Sequence, residues 1–304
     1  MKHLFVFNPR SLPDGKARDA LIQRIEEKCA GLDYEIYFST SAQNAQQKAR
    51  DECAKGGEIC VYAGGGDGTI RQMAQAIYTY PNAILSAIPL GTGNDFVRGF
   101  GGQKAFMELE HITDGTEHTI DLIRAGDYIC ANMINIGFDE SVVSRIDKLS
   151  SKLLIGKSIA YTIGLVLQLI QYPKGQLHIT YENGEEYNDP FLLTYIANGK
   201  YCGGGYCSAS EASLSDGKMD TMTVFPLSRL KFLSLVGDYK KGTLLSKEKY
   251  RPLYRFAKVT KMTLQKDTPF NVCIDGEVFS FTELNIEIIK NAIRFKAPKK
   301  GVNI

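Results

Sequence analysis

Between Ile59 and Tyr78 the sequence passes from a short apolar run, Ile-Cys-Val-Tyr-Ala, straight into Gly64-Gly65-Gly66-Asp67-Gly68-Thr69 and then into a helical pattern. Few arrangements satisfy that order. A buried strand must end in a turn that only glycine can make, and a helix must begin at once. Such a strand–turn–helix presents backbone N–H groups at a helix N-terminus, and those groups bind anions. The segment is not a Walker A loop, because no Gly-Lys-Ser/Thr follows. Nor is it spaced as G-x-G-x-x-G. By itself it is equally a tight turn with a capping aspartate.

The surrounding 120 residues repeat the same alternation. Strands are expected at His3 to Asn8, Tyr34 to Ser39, Ile59 to Ala63 and Ala83 to Ile88. Helices are expected at Lys16 to Cys29, Ala42 to Ala54 and Ile70 to Tyr78. Units of this length imply a mostly parallel sheet with flanking helices. The fourth strand also ends in a glycine turn carrying an acid, Pro89-Leu-Gly91-Thr92-Gly93-Asn94-Asp95, and the first ends at Asn8-Pro9. In open α/β sheets ligands bind at such strand ends.

After about Thr119 the pattern changes to paired strands. Leu177, Ile179 and Tyr181 alternate with polar residues before Asn183-Gly184, a hairpin signal. Phe191 to Ala197, Met219 to Phe225, Val259 to Leu264, Asn271 to Ile274 and the alternation at Ile293, Phe295 and Ala297 read as further strands. The expected fold is therefore an α/β domain over residues 1–120 followed by a β-rich, sandwich-like domain over 121–295. Leu153 to Tyr172 reads as an amphipathic helix rather than a membrane span, because Lys157, Gln168 and Gln171 fall on one face.

Composition excludes some classes. A net charge of +2 over 304 residues, with no basic block, argues against nucleic acid. The apolar start is stopped by Asn8 and Pro9, too early for a secretory leader, so a cytoplasmic protein is expected. Seven scattered cysteines read as reduced, mostly buried thiols.

Taken in order, Asn8-Pro9, Gly64–Thr69, Pro89–Arg98, Ile120-Asp121-Leu122, Asn135-Ile-Gly137-Phe-Asp139, Asn198-Gly199 with Gly203–Gly205, Asp216-Gly-Lys-Met-Asp220 and Ile274-Asp275-Gly276-Glu277 resemble the motifs of the diacylglycerol kinase catalytic-domain family. That family includes sphingosine and ceramide kinases and bacterial soluble lipid kinases. The resemblance implies an NAD kinase/diacylglycerol kinase-like α/β nucleotide-binding domain and a β-rich lipid-substrate domain, with a C-terminal segment, about 296–304, returning to the first. It implies an ATP-dependent, Mg²⁺-assisted phosphoryl transfer to a lipid hydroxyl, most readily that of diacylglycerol.

By the same resemblance Glu277 is the base, although Asp275-Gly276 alone reads as a type I′ hairpin turn. Asp67 is catalytic, and Asp67, Asp95 and Asp121 surround the catalytic Mg²⁺, partly through water. Asn8, Thr40, Gly64, Gly65, Gly66, Gly68, Thr69, Gly91, Thr92 and Asn94 contact the nucleotide; Thr40 alone reads as a helix cap. A second, structural Mg²⁺ is implied at Asp216 with the backbone carbonyls of Ser213 and Lys218. A homodimer is implied, as is peripheral association with a membrane, for which Arg10, Lys16, Arg18, Lys152 and Lys157 offer a basic rim. Two departures stand out: the glycine of the first turn comes late, at Gly15, and Met219 replaces a leucine. NAD kinases share the Gly-Gly-Asp-Gly turn but usually follow with Asn-Glu where this chain has Asn94-Asp95. A non-catalytic lipid- or nucleotide-binding regulator is the other alternative.

Overall fold

A computed structural model describes residues 1–12, 14–137 and 175–299. The helix expected at 153–172 lies outside them. The chain forms two compact units, Met1–Leu122 with Lys290–Ile304, and Ile123–Ile289.

In the first unit β1 (Lys2–Phe7), β2 (Asp33–Phe38), β3 (Ile59–Gly65) and β4 (Ala83–Pro89) alternate with α1 (Lys16–Lys28), α2 (Ala42–Ala54) and α3 (Asp67–Ile77). The short helices α4 (Gly102–Met107) and α5 (His111–Asp114) follow. β1 pairs in parallel with β2 on one side and β3 on the other, and β4 pairs in parallel with β3. The order β2-β1-β3-β4 makes the chain reverse direction between β1 and β3, the switch point at which α/β sheets bind ligands. β1, β3 and β4 are almost wholly buried, which is why each reads as an unbroken apolar run.

Two strands, β5 (Gly115–Ala125) and β14 (Glu277–Pro298), each contribute residues to both units. The last part of β14 adds a fifth parallel strand beside β4, with Arg294 opposite Ile84 and Phe295 opposite Leu85. Phe295 packs against Phe96, Phe100 and Phe106, and Ser86 Oγ donates to the Lys296 carbonyl at 2.7 Å.

In the second unit β6 (Tyr128–Cys130) pairs with the end of β5. The main ladder runs β12 (Tyr254–Val259), β11 (Met219–Val224), β10 (Leu193–Ala197), β7 (Met133–Ile136), β13 (Lys261–Ile274) and β14, antiparallel throughout. β8 (His178–Tyr181) pairs with the first half of β13 and, through the expected Asn183-Gly184 hairpin, with β9 (Glu186–Tyr187). One core gathers Ile134, Ile179, Leu264 and Val272; another gathers Tyr195, Tyr206 and Met222 under α6 (Arg229–Lys241).

Besides elements the sequence reading did not name, such as α4, α5, β6 and β7, the structure departs from it at α3, at Thr260 and at α6. α3 begins at Asp67 rather than Ile70, because β3 runs through Gly65 and Gly66 is the N-cap. The strand expected at Val259 to Leu264 is divided at Thr260 between β12 and β13. α6 escaped notice because its exposed face carries Leu230 and Leu233, which blur the helical alternation.

Candidate active site

The two glycine turns meet backbone to backbone at the carboxyl edge of the parallel sheet. A Cβ placed on Gly64 would come within 2.3 Å of the Phe7 ring, and one on Gly65 within 2.2 Å of Thr69 Oγ1. A Cβ on Gly91 would lie 2.5 Å from Gly66 Cα and 2.8 Å from Asn94 Oδ1. Side chains are excluded at these positions, and the first turn leads directly into the N-terminus of α3.

Asp67 ties the turns together. Its Oδ1 accepts the Phe96 N–H at 3.0 Å and its Oδ2 the Asp95 N–H at 3.1 Å. The aspartate that a single motif would cast as the cap of its own helix thus caps the turn Phe96–Gly99 instead. Asp95 in turn accepts from Arg98 Nε at 3.2 Å, and Arg98 also donates to the Gly93 carbonyl. Asn94, in the left-handed region at φ 48°, donates from Nδ2 to the Gly91 carbonyl at 2.6 Å. Its Oδ1 is buried without a hydrogen bond, a polar atom that normally has a partner.

The remaining expected residues fall less evenly. Asn8 joins the edge through its N–H, which donates to Gly64 at 2.9 Å, while its side chain closes its own turn onto the Arg10 N–H. Thr69 is buried in the first turn of α3, and Thr92 is exposed on the second glycine turn. Thr40 is exposed, and the cap of α2 is Ser41, whose Oγ accepts from Asn44. Asp121 is buried and accepts the Asn291 N–H at 2.7 Å, which fixes the point where β14 enters the first unit. Among the described residues no three His, Cys, Asp or Glu side chains form a ready-made metal cage. Mg²⁺ does not require one: it is usually held by one or two carboxylates, with phosphate oxygens and water completing its shell. The hard oxygens of Asp67 and Asp95 beside an anion cradle fit that habit.

In the second unit Asp275 and Gly276 take φ 45° and 90°, the type I′ geometry the Asp-Gly pair suggests, and Glu277 follows half-buried. Nothing local to the Asp-Gly pair foretells what Asp275 does there. Its carboxylate accepts the N–H groups of Ala131, Asn132 and Met133 at 2.7, 3.1 and 2.9 Å, and the Cys130 thiol at 3.2 Å. The same loop is gripped from the other side, where Asn198 and Gly199 donate to the Asn132 carbonyl and Asn198 Nδ2 donates to Ala131. The loop Cys130–Met133, Asn198-Gly199 and Asp275 are therefore one hydrogen-bonded assembly, and it holds the turn that leads to Glu277.

At the implied second metal site Asp216 Oδ1 accepts the Lys218 N–H at 3.0 Å, and a lysine from β12, Lys258, approaches Oδ2 at 3.4 Å. The donor set thus already faces a cation of the chain's own, and the residues do not fit a divalent ion.

Two glycine turns at the switch point of a parallel sheet, in a chain whose other unit is an antiparallel ladder, have the layout of the NAD kinase/diacylglycerol kinase architecture. Residues 2–125 match the diacylglycerol kinase catalytic domain, and residues 132–296 match the YegS C-terminal NAD kinase beta sandwich-like domain. The chain belongs to this family of two-domain lipid kinases. It is 26% identical over 300 residues to a "Probable lipid kinase YegS-like" of Alcanivorax borkumensis, covering 98% of this chain and 97% of that one. It is 28% identical over 299 residues to a protein of the same description from Pseudomonas aeruginosa strain UCBPP-PA14, covering 98% and 94%. The crystal structure of a diacylglycerol kinase from Bacillus anthracis strain Sterne aligns at a TM-score of 0.70 and 19% identity, over 99% of this chain and 98% of that one. Another crystal structure from that strain aligns at 0.81 and 21%, with the same coverage. Among the described residues no helix is long and apolar enough to cross a membrane.

Proposed function

We propose that this kinase transfers the γ-phosphoryl group of ATP to the hydroxyl of diacylglycerol, giving phosphatidic acid at a membrane surface. The observation that carries the reading is the Asp67 carboxylate bonded to both Asp95 and Phe96. It ties the two glycine turns together, and we read the pair as one phosphate cradle. Phosphoryl transfer asks mostly for positioning and charge neutralisation. Gly64, Gly65, Gly66, Gly68 and Gly91 admit the phosphates, with Asn8, Thr40, Thr69, Thr92 and the unpartnered Asn94 oxygen as further nucleotide contacts. Asp67 and Asp95, with Asp121 through water, would hold Mg²⁺, which offsets the charge of the triphosphate when bound. Glu277 takes the proton of the acceptor hydroxyl.

The test is direct. Purified protein is incubated with labelled ATP and Mg²⁺ and offered diacylglycerol vesicles, monoacylglycerol, sphingoid bases, ceramide, phosphatidylglycerol or NAD. Label in phosphatidic acid, lost in Glu277→Gln while ATP binding persists, supports the reading. Label in NAD alone would sink it. So would ATP binding with no turnover on any acceptor, which is the behaviour of a regulator.

A further inference from the structure

Lys258 projects from β12 into a set of oxygens that its own unit supplies. Its Nζ lies 2.8 Å from Asp220 Oδ1, 2.9 Å from the Glu211 carbonyl and 3.4 Å from Asp216 Oδ2. The first of these contacts is set by register, because Asp220 and Lys258 are directly opposed in the β11–β12 ladder. The other two come from the loop leading into β11, where the Lys218 N–H closes a turn onto Asp216 Oδ1 at Gly217, whose φ is 70°. An ammonium has three N–H donors and no acceptor; two donate to the Glu211 carbonyl and Asp216 Oδ2, and the Asp220 contact is a close ion pair.

This is the stretch, Ser213 to Asp220, where the family resemblance implies a structural Mg²⁺. The observed chemistry points elsewhere. A divalent ion bound through Asp216 would share that carboxylate with an ammonium already within 3.4 Å of it, and the two like charges repel. Asp220 is 1% exposed, and a carboxylate at that depth needs a charge partner. Lys258 is that partner.

We propose that the Lys258 ammonium is the resident cation of the Glu211–Asp220 loop, doing internally what a bound divalent ion would otherwise do, so that this unit folds without a metal.

The inference is independent of the kinase reading and is tested without turnover. Protein dialysed against EDTA is melted in EDTA and in millimolar Mg²⁺ or Ca²⁺, with bound metal measured in parallel. Because the nucleotide site can itself take Mg²⁺, Asp216→Asn serves as the reference. Wild type and Asp216→Asn should respond to the cations alike. Lys258→Met, which keeps most of the length but not the charge, should melt about 5 °C lower in EDTA. It should recover at least half of that loss on adding the cation, a recovery absent from Lys258→Met/Asp216→Asn. A folded Lys258→Met that ignores divalent cations overturns the proposal. If Lys258→Met does not fold, wild type decides. A cation-dependent rise in melting temperature, or a retained stoichiometric ion, that Asp216→Asn removes shows that the loop binds metal with its lysine in place. An identical response of the two proteins supports the ammonium.

Discussion

The Asp67 carboxylate accepts the backbone N–H of Phe96 at 3.0 Å, across 29 residues of chain. That bond and its twin to Asp95 make Asp67 a structural part of the cradle as well as a candidate metal ligand. Asp67→Asn separates the two contributions poorly, since an amide offers one acceptor and turns its NH₂ toward a backbone donor. It should lower stability by about 1–3 kcal/mol and weaken ATP binding even when Mg²⁺ is absent. Calorimetric titration with ATP in EDTA checks this. Unchanged affinity there would confine Asp67 to the metal.

Gly91→Ala tests the backbone-to-backbone packing of the two turns. The new methyl would sit 2.5 Å from Gly66 Cα, and main chain cannot move aside as a flexible side chain can. One turn must shift by about an ångström. Because cradle geometry fixes the phosphate, ATP affinity should fall about tenfold or more, with far-ultraviolet dichroism unchanged. Affinity within twofold of wild type would mean that the turns do not jointly bound the phosphate.

Asp275 should prove more sensitive than its surface turn suggests. Asp275→Ala strands three backbone N–H groups that are otherwise satisfied by one carboxylate. With about 1 kcal/mol or more for each, the loss should reach about 3 kcal/mol, and the amides of residues 131–133 should exchange faster. Asp275→Asn retains one acceptor and should lie between. If Glu277 works from this turn, kcat should fall in both variants further than KM rises. Amide protection equal to wild type in Asp275→Ala would remove the anchoring role.

What was legible in the sequence was periodic or local. β1 to β4 and α1 to α3 could be read because β1, β3 and β4 are buried apolar runs, β2 is a short edge strand rich in tyrosine, phenylalanine and isoleucine, and each helix has one apolar stripe. The chemistry of the glycine turns was readable because glycine in that number has few other uses. What stayed hidden depends on long-range register. Nothing local marks Lys258 as the partner of Asp220, 38 positions earlier, until β11 and β12 pair. The same holds for Asp275 and Met133, which are 142 residues apart. Asp67 shows the intermediate case: its residue type was right, but its partners lie in another turn, so the sequence showed a cap without showing what it caps. The division of the Val259 to Leu264 strand at Thr260 was invisible for another reason, since β-branched and apolar residues continue through the break.

The buried histidines of the α/β unit predict its acid sensitivity. His111 is fully buried, with Nε2 3.2 Å from the Ala87 carbonyl. Burial lowers its pKa to about 4, the carbonyl bond opposes the shift, and the Lys296 ammonium adds to it. His3, bonded through Nδ1 to the Tyr62 hydroxyl at 3.0 Å, is lowered to about 4 as well, by burial and then by Lys296. An unfolded histidine binds its proton near pH 6.5, whereas these two bind theirs in the fold only near pH 4. Over that interval the unfolded chain carries more protons, so stability falls as pH falls, by up to about 3 kcal/mol for His111. Above pH 6.5 neither group contributes a slope. His111→Gln keeps an N–H for Ala87 but cannot titrate. Urea midpoints measured from pH 7 down to pH 4 should therefore fall less steeply in the variant than in wild type, whatever its absolute stability, by about one proton's worth of slope. Carboxylates that begin to titrate at the lower end are common to both proteins and cancel in the comparison. Parallel curves would mean that His111 is already charged in the fold, and the buried neutral imidazole would have to be abandoned.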